Sequence, residues 1–211
     1  MERRELLKMI ALVTGSAFIG GEFLLSGCKS NDAKLGGMAF TESDIAFLDE
    51  VGETILPATK SPGAKAAQVG KYMEIMVNDC YDEADQKTFH AGIKQLDEAS
   101  EKMFKTGFIK ATPQQRHDLL VSLDKEAKEY QKTKSEFDKA QNETEKAEIA
   151  KGNKDYKKEK KSAHYFTMMK QLTLHGFFTS KVGATEALRH VAVPTKYEGC
   201  VPYKKGDRAW A

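Results

Sequence analysis

The chain has 211 residues, 33 of them basic and 31 acidic, for a formal net charge of +2. So even a balance creates no large positive field, which argues against a nucleic-acid-binding protein working through a basic patch. Removal of a leader would leave about 180 residues, enough for one domain with a real core.

Residues 1–27 read as an export leader. Arg3-Arg4 supplies a charged start with the twin arginine of the Tat route, and an apolar stretch runs from about Met9 to Leu25. Thr14, Gly15, Ser16, Gly20, Gly21 and Glu22 interrupt it. It therefore falls short of a stable membrane span, which needs roughly 20 mostly apolar residues, and cleavage is expected. Leu25-Ser26-Gly27-Cys28 is similar to a lipobox, in which Cys28 is acylated, becomes the first mature residue and is held to a membrane by its acyl chains. The expected location is periplasmic, anchored to a bacterial membrane. The Tat route carries folded proteins, often around a cofactor, so such a chain either binds a cofactor or travels with a partner that does.

A small, polar tether over residues 28–40 leads into a helical domain over 41–190. Thr41, followed by Glu42, Ser43 and Asp44, predicts an N-cap with acidic residues in the first turn. Ile45, Phe47, Leu48, Val51, Ile55 and Leu56 continue at near-helical spacing until Pro57. A loop through Ser61-Pro62-Gly63 precedes a second helix from about Ala66 to Tyr81. A third runs from about Asp85 to Lys105, using Phe89, Ile93, Leu96 and Phe104, and Thr112-Pro113 starts a fourth. From about 124 to 161, Lys and Glu alternate with few large apolar residues. That pattern predicts a solvated helical excursion or helical hairpin, supported by pairs such as Lys125 with Glu129 and broken near Gly152-Asn153. His164 to Phe178 is the most apolar stretch of the mature chain and reads as the central core helix, followed by a short helical piece to about Arg189. Residues 191–211 mix proline, glycine and aromatics without a period and predict an extended tail. The fold class is thus all-α: a single helical domain with a long charged excursion and an irregular C-terminal tail.

Little in this chain points to chemistry of its own. With Cys28 lipidated, Cys80 and Cys200 are the remaining thiols, free to pair with each other or with a partner chain in an oxidising compartment. No Cys-x-x-Cys pair and no Cys-x-x-Cys-His motif occurs, which argues against a redox centre carried by this chain. His164 and His175 lie on the core helix, but eleven residues separate them by about 16 Å along the axis, too far to share a metal ion. Each reads as a hydrogen-bonded core or interface histidine. His90, His117 and His190 are isolated, and no dinucleotide or phosphate-binding glycine motif is present. No catalytic, cofactor-binding or metal-binding residue is therefore assigned. Met73, Met76, Met168 and Met169 read as core filler. In the tail, Tyr197, Tyr203 and Trp210 on a proline-limited segment suit a surface where one chain grips another, the alternative being a tail folded back on its own helices.

Two segments carry a family resemblance. Phe47-Leu48-Asp49-Glu50-Val51-Gly52-Glu53-Thr54-Ile55-Leu56-Pro57 continues into Ser61-Pro62-Gly63-Ala64. Gly176-Phe177-Phe178-Thr179-Ser180 and Gly183-Ala184-Thr185 are followed by Tyr197-Glu198-Gly199-Cys200-Val201-Pro202. The chain resembles the gluconate 2-dehydrogenase subunit 3 family over most of its mature length, except the charged excursion. The resemblance implies a non-catalytic accessory subunit with no cofactor of its own. Its implied partners are a large subunit of the glucose-methanol-choline type that binds FAD and oxidises a sugar or polyol, and a cytochrome c subunit. The small subunit would supply the Tat signal and accompany the folded flavoprotein. Its expected grip is Phe177, Phe178, Tyr197, Glu198, Gly199, Cys200, Val201, Pro202, Tyr203 and Trp210, with Cys200 available for a disulfide in trans. A second reading, of a different class, is a free-standing helical lipoprotein enzyme or ligand carrier using His164 or His175.

Overall fold

Thr41 opens the first helix as the sequence predicts. Its side chain accepts the Asp44 N–H while the Asp44 carboxylate accepts the Thr41 N–H, a reciprocal capping box. The computed structural model describes residues 39–211, so Arg3, Arg4 and Cys28 lie outside the described residues. Five α-helices follow in order: α1 Glu42–Ile55, α2 Val69–Cys80, α3 Glu83–Phe104, α4 Pro113–Ala150 and α5 Tyr165–Thr179. Short 3-10 turns at Ala64–Ala67 and Phe108–Lys110 join α1 to α2 and α3 to α4. No β-strand occurs among the described residues.

α5 is the centre of the bundle. Tyr165, Phe166, Met168, Met169, Leu172, Thr173, Gly176 and Phe177 are all buried, so the helix is covered on most of its circumference. Phe47, Leu48 and Val51 of α1, Val69, Met73 and Val77 of α2, and Phe89, Ile93 and Leu96 of α3 complete the core with Leu119, Leu120 and Leu123 of α4. The methionines at 73, 168 and 169 are core filler, and the buried Thr173 hydroxyl is satisfied by donating to the Met169 carbonyl at 2.8 Å.

Four local expectations are corrected. The second helix begins at Val69, not Ala66, because Gln68 takes a left-handed conformation with φ 53° and separates the 3-10 turn from α2. The third begins at Glu83, where Asp82 accepts the Asp85 N–H at 2.9 Å. The tether reading is too long at its end: Phe40 lies on His90 at 4.2 Å and edge-on to Phe89 at 6.0 Å, so packing starts one residue before the cap.

The fourth concerns the charged excursion. α4 is a single 38-residue helix whose first half enters the core, with no buried residue beyond Ala127. Its distal part ends at a turn where Gly152 takes φ 94°. The return, residues 153–164, is extended and not a second helix. Side chains hold it back along α4: Lys158 reaches Asn142 and Glu145, and Tyr130 donates to the Ser162 carbonyl at 2.9 Å. Lys160 pairs with Asp82 and Asp85 of the neighbouring α3 region. The Lys157 to Lys161 run repels itself, and its lysines find carboxylates and carbonyls better in an extended arm. The i to i+4 pairs formed on α4 are Asp124–Lys128 and Lys134–Asp138, in place of Lys125–Glu129.

Candidate partner interface

The end of α5 divides the two phenylalanines expected to face a partner. Phe177 is only 4% exposed and belongs to the protein's own core, so it is not available for contact. Phe178 is 41% exposed, its ring edge-on to Phe177 at 5.1 Å. Sequence adjacency alone misled here, because neighbouring residues on a helix end point about 100° apart.

The turn after α5 is tightly specified. Ser180 donates its hydroxyl to the Phe177 carbonyl at 2.7 Å and accepts the Gly183 N–H at 2.9 Å. A side chain at 183 would overlap the Phe177 carbonyl oxygen, and one at 176 would enter the Tyr72 ring, so both positions require glycine. Gly183 starts a π-type turn over Gly183–Ala187. The Gly-Phe-Phe-Thr-Ser and Gly-Ala-Thr segments are therefore the hardware that ends the core helix and launches the tail.

Beyond it, residues 190–208 contain no helix or strand, and nearly every side chain is exposed. Tyr197 is 96% and Tyr203 78% exposed, with Glu198, Gly199, Cys200, Val201 and Pro202 exposed between them. Lys196 pairs with Glu198 at 2.5 Å. The tail then returns to its own root. Arg189 donates its N–H to the Ala209 carbonyl at 2.8 Å, and Ala211 donates to the Arg189 carbonyl at 2.9 Å. The Arg189 guanidinium sits over the Trp210 ring at 4.3 Å, and Arg208 donates to the Glu186 carbonyl at 2.6 Å. Trp210, at 53% exposed, is thus half occupied within the chain.

The acidic residues of the α1 motif are consumed by the fold. Asp49 accepts the Gly70 N–H at 2.8 Å; Glu53 accepts the Ala58 and Lys65 N–H groups at 2.8 and 2.9 Å. Glu50 pairs with Lys65 and with Arg116 at 2.6 Å. Arg116 also donates to the carbonyls of Phe108, Ile109 and Ala111. The Lys65 hydrogen bond, with Arg116 behind it, holds the Glu50 carboxyl below its ordinary range despite partial burial. These carboxylates fasten the loops that lead into α2 and α4. Sequence inspection marked the motif but could not reveal this use, since its partners lie up to 66 residues away.

The two core-helix histidines have separate structural uses. His164 is buried as the N-cap of α5, where its Nδ1 accepts the Phe166 N–H at 3.2 Å and its ring stacks on Tyr165 at 4.5 Å. Burial, reinforced by Glu126, pushes the Tyr165 phenol up to about 12. His175 is exposed and hydrogen-bonded through Nδ1 to the Tyr72 hydroxyl. Desolvation, with Cys80 adding to it, holds the Tyr72 phenol above its ordinary value. Cys80 and Cys200 are both free and exposed.

An open groove of about 440 Å³, absent from the sequence reading, lies between α1, α3 and the 3-10 turn before α4. Ser43, Asp44, Lys94 and Glu101 rim it over Phe47 and Ile93. Its third carboxylate, Asp97, is committed to the Phe108 N–H at 2.7 Å. No helix among the described residues is long and apolar enough to cross a membrane, and no group of three potential metal ligands occurs among them.

Neither the curated proteins nor the solved structures offer a significant match. Residues 42–195 match the family described as Gluconate 2-dehydrogenase subunit 3, a span that runs from the first turn of α1 into the root of the tail. It takes in the α1 carboxylates, the core helix and the glycine-bounded turn together, and on that extent the chain belongs to the gluconate 2-dehydrogenase subunit 3 family.

Proposed function

We propose that this protein is a non-catalytic accessory subunit that binds and stabilises an FAD-dependent sugar or polyol dehydrogenase of the glucose-methanol-choline type. Arg3-Arg4 directs the assembled pair through the Tat pathway, and acylated Cys28 anchors it to a bacterial membrane on the periplasmic side. A cytochrome c subunit accepts the electrons. FAD belongs to the large subunit.

The observation that carries this reading is where the polar residues go. The family's acidic motif is spent on loop fastening, and both core-helix histidines serve the fold, one as a cap and one with Tyr72. The large exposed aromatics gather instead on the tail. That division suits a scaffold whose work is contact.

Co-expression of the full-length chain with a glucose-methanol-choline flavoprotein from the same genome tests the proposal. The two should co-purify with FAD in the larger subunit. Arg3→Lys with Arg4→Lys should retain both in the cytoplasm, and Cys28→Ser should release the pair from the membrane fraction. A chain that remains alone when co-expressed would refute the accessory role.

A further inference from the structure

The tail is a closed loop, and closure is unexplained by the protein's own core. Residues 190–208 bury nothing, yet both ends are tied at one place by two backbone hydrogen bonds, the Arg189–Trp210 stack and the Arg208 bond to Glu186. A loop this long with no secondary structure is uncommon in a compact domain and is usually functional when ordered.

Closure has a definite effect on what is displayed. Asp207 donates to the Lys204 carbonyl at 3.0 Å and accepts the Lys204 N–H at 3.3 Å, and Gly206 at φ 95° completes a tight turn beside the clasp. That turn presents Tyr203, Lys204 and Lys205 together, and neither lysine joins an ion pair among the described residues. The loop carries four basic residues against two acidic ones, and its most exposed pair of opposite charges, Lys196 and Glu198, is already matched. What remains outward is aromatic and positive.

We infer that the Arg189–Trp210 clasp makes the tail a preformed docking loop for an acidic, apolar-lined surface on the large dehydrogenase subunit. This rests on the accessory-subunit reading and deepens it. The clasp brings the ends of this loop of about 19 residues together before binding, which takes its closure cost out of the binding step, so apparent affinity scales with the fraction of closed loop. Tyr203 is the aromatic anchor, and Lys204 with Lys205 steers and orients.

Trp210 is the single tryptophan of the chain, which makes the clasp directly readable. In the purified full-length protein, Arg189→Gln should red-shift Trp210 emission and raise its accessibility to acrylamide, with the helical circular dichroism unchanged. Unchanged emission and quenching would overturn the clasp. Binding is then measured by titrating the co-expressed dehydrogenase subunit, separated and re-added, onto immobilised full-length chain. Trp210→Ala should weaken it about tenfold, by the loss of closed population. Trp210→Phe should lie between that and wild type, and Lys204→Glu with Lys205→Glu should weaken it and flatten its salt dependence. Wild-type binding with no loss in Trp210→Ala would overturn the inference while leaving the accessory role standing. Failure of the wild-type chain to bind would overturn both, and clasp-dependent self-association in sedimentation would replace the dehydrogenase subunit with a second copy.

Discussion

Phe177 and Phe178 are adjacent in sequence but should respond oppositely to truncation. Phe177→Ala removes a ring that is 4% exposed, so nearly the whole transfer free energy is lost, about 2–3 kcal/mol. The void also cannot collapse easily, because the Phe177 backbone is pinned by Ser180 and abuts Gly183, which brings the total to about 3–5 kcal/mol. Phe178→Ala removes a ring that is 41% exposed and leaves no cavity, for roughly 1 kcal/mol. With a urea slope of about 2 kcal/mol/M, the midpoints should fall by about 1.5–2.5 M and about 0.5 M respectively. Equilibrium urea unfolding followed by far-ultraviolet circular dichroism measures both. Equal shifts, or a Phe177→Ala midpoint within about 0.5 M of wild type, would show that Phe177 is not the core residue described.

Gly183→Ala should cost at least about 3 kcal/mol in the same assay, because the new methyl meets a carbonyl oxygen that cannot move without unwinding the end of α5. Arg116→Gln should cost about 2 kcal/mol by orphaning three loop carbonyls and leaving Glu50 with Lys65 alone, and a midpoint equal to wild type would contradict the fastening role. Stability should also decline on acidification through His90, whose imidazole is held below its ordinary value chiefly by burial, with Asp44 opposing and Lys94 assisting. Its folded pKa lies below the unfolded value of about 6.5, so the contribution is complete above that pH and lost as pH falls through the folded pKa. Melting temperatures between pH 8 and pH 5 should show this slope, flattened in His90→Gln. Replacing residues 131–158 by a short Gly-Ser linker should leave the melting temperature within about 4 °C of wild type, since no residue in that span is buried.

The helices were legible where local chemistry decides them. Thr41 with Asp44 and Thr112 with Gln115 both form the reciprocal caps that their spacing announces, and Pro113 sits in the first turn where its missing N–H does no harm. The apolar run around Met168 and Leu172 was recognisable as core because it lacks a polar face. Illegible features depended on distant partners. Nothing near Gln68 signals a left-handed residue; Asp49 reaching the Gly70 N–H makes the break between the 3-10 turn and α2 useful. The return arm looked helical because Lys and Glu are good helix formers, but its lysines are claimed by Asp82, Asp85, Asn142 and Glu145. In the candidate interface, exposure of Tyr197 and Tyr203 followed from composition, whereas the return of Trp210 to Arg189 had no local signal.

The charged arm bears on how this domain can vary. α1 and α5 pack on each other across about 120 residues, with Gly52 beside Thr173, and the arm lies in the intervening chain. Closure entropy grows only logarithmically, so roughly 30 extra residues in that span add about 0.3 kcal/mol to bringing the ends together. The arm is therefore almost free to lengthen or shorten during evolution, provided Leu119 to Ala127 and His164 keep their places. Its penalty falls on kinetics, because the contacts that complete the core must wait for α5 to find α1 and α2 over a longer search. Length variation in such an arm would separate folding rate from stability within the family.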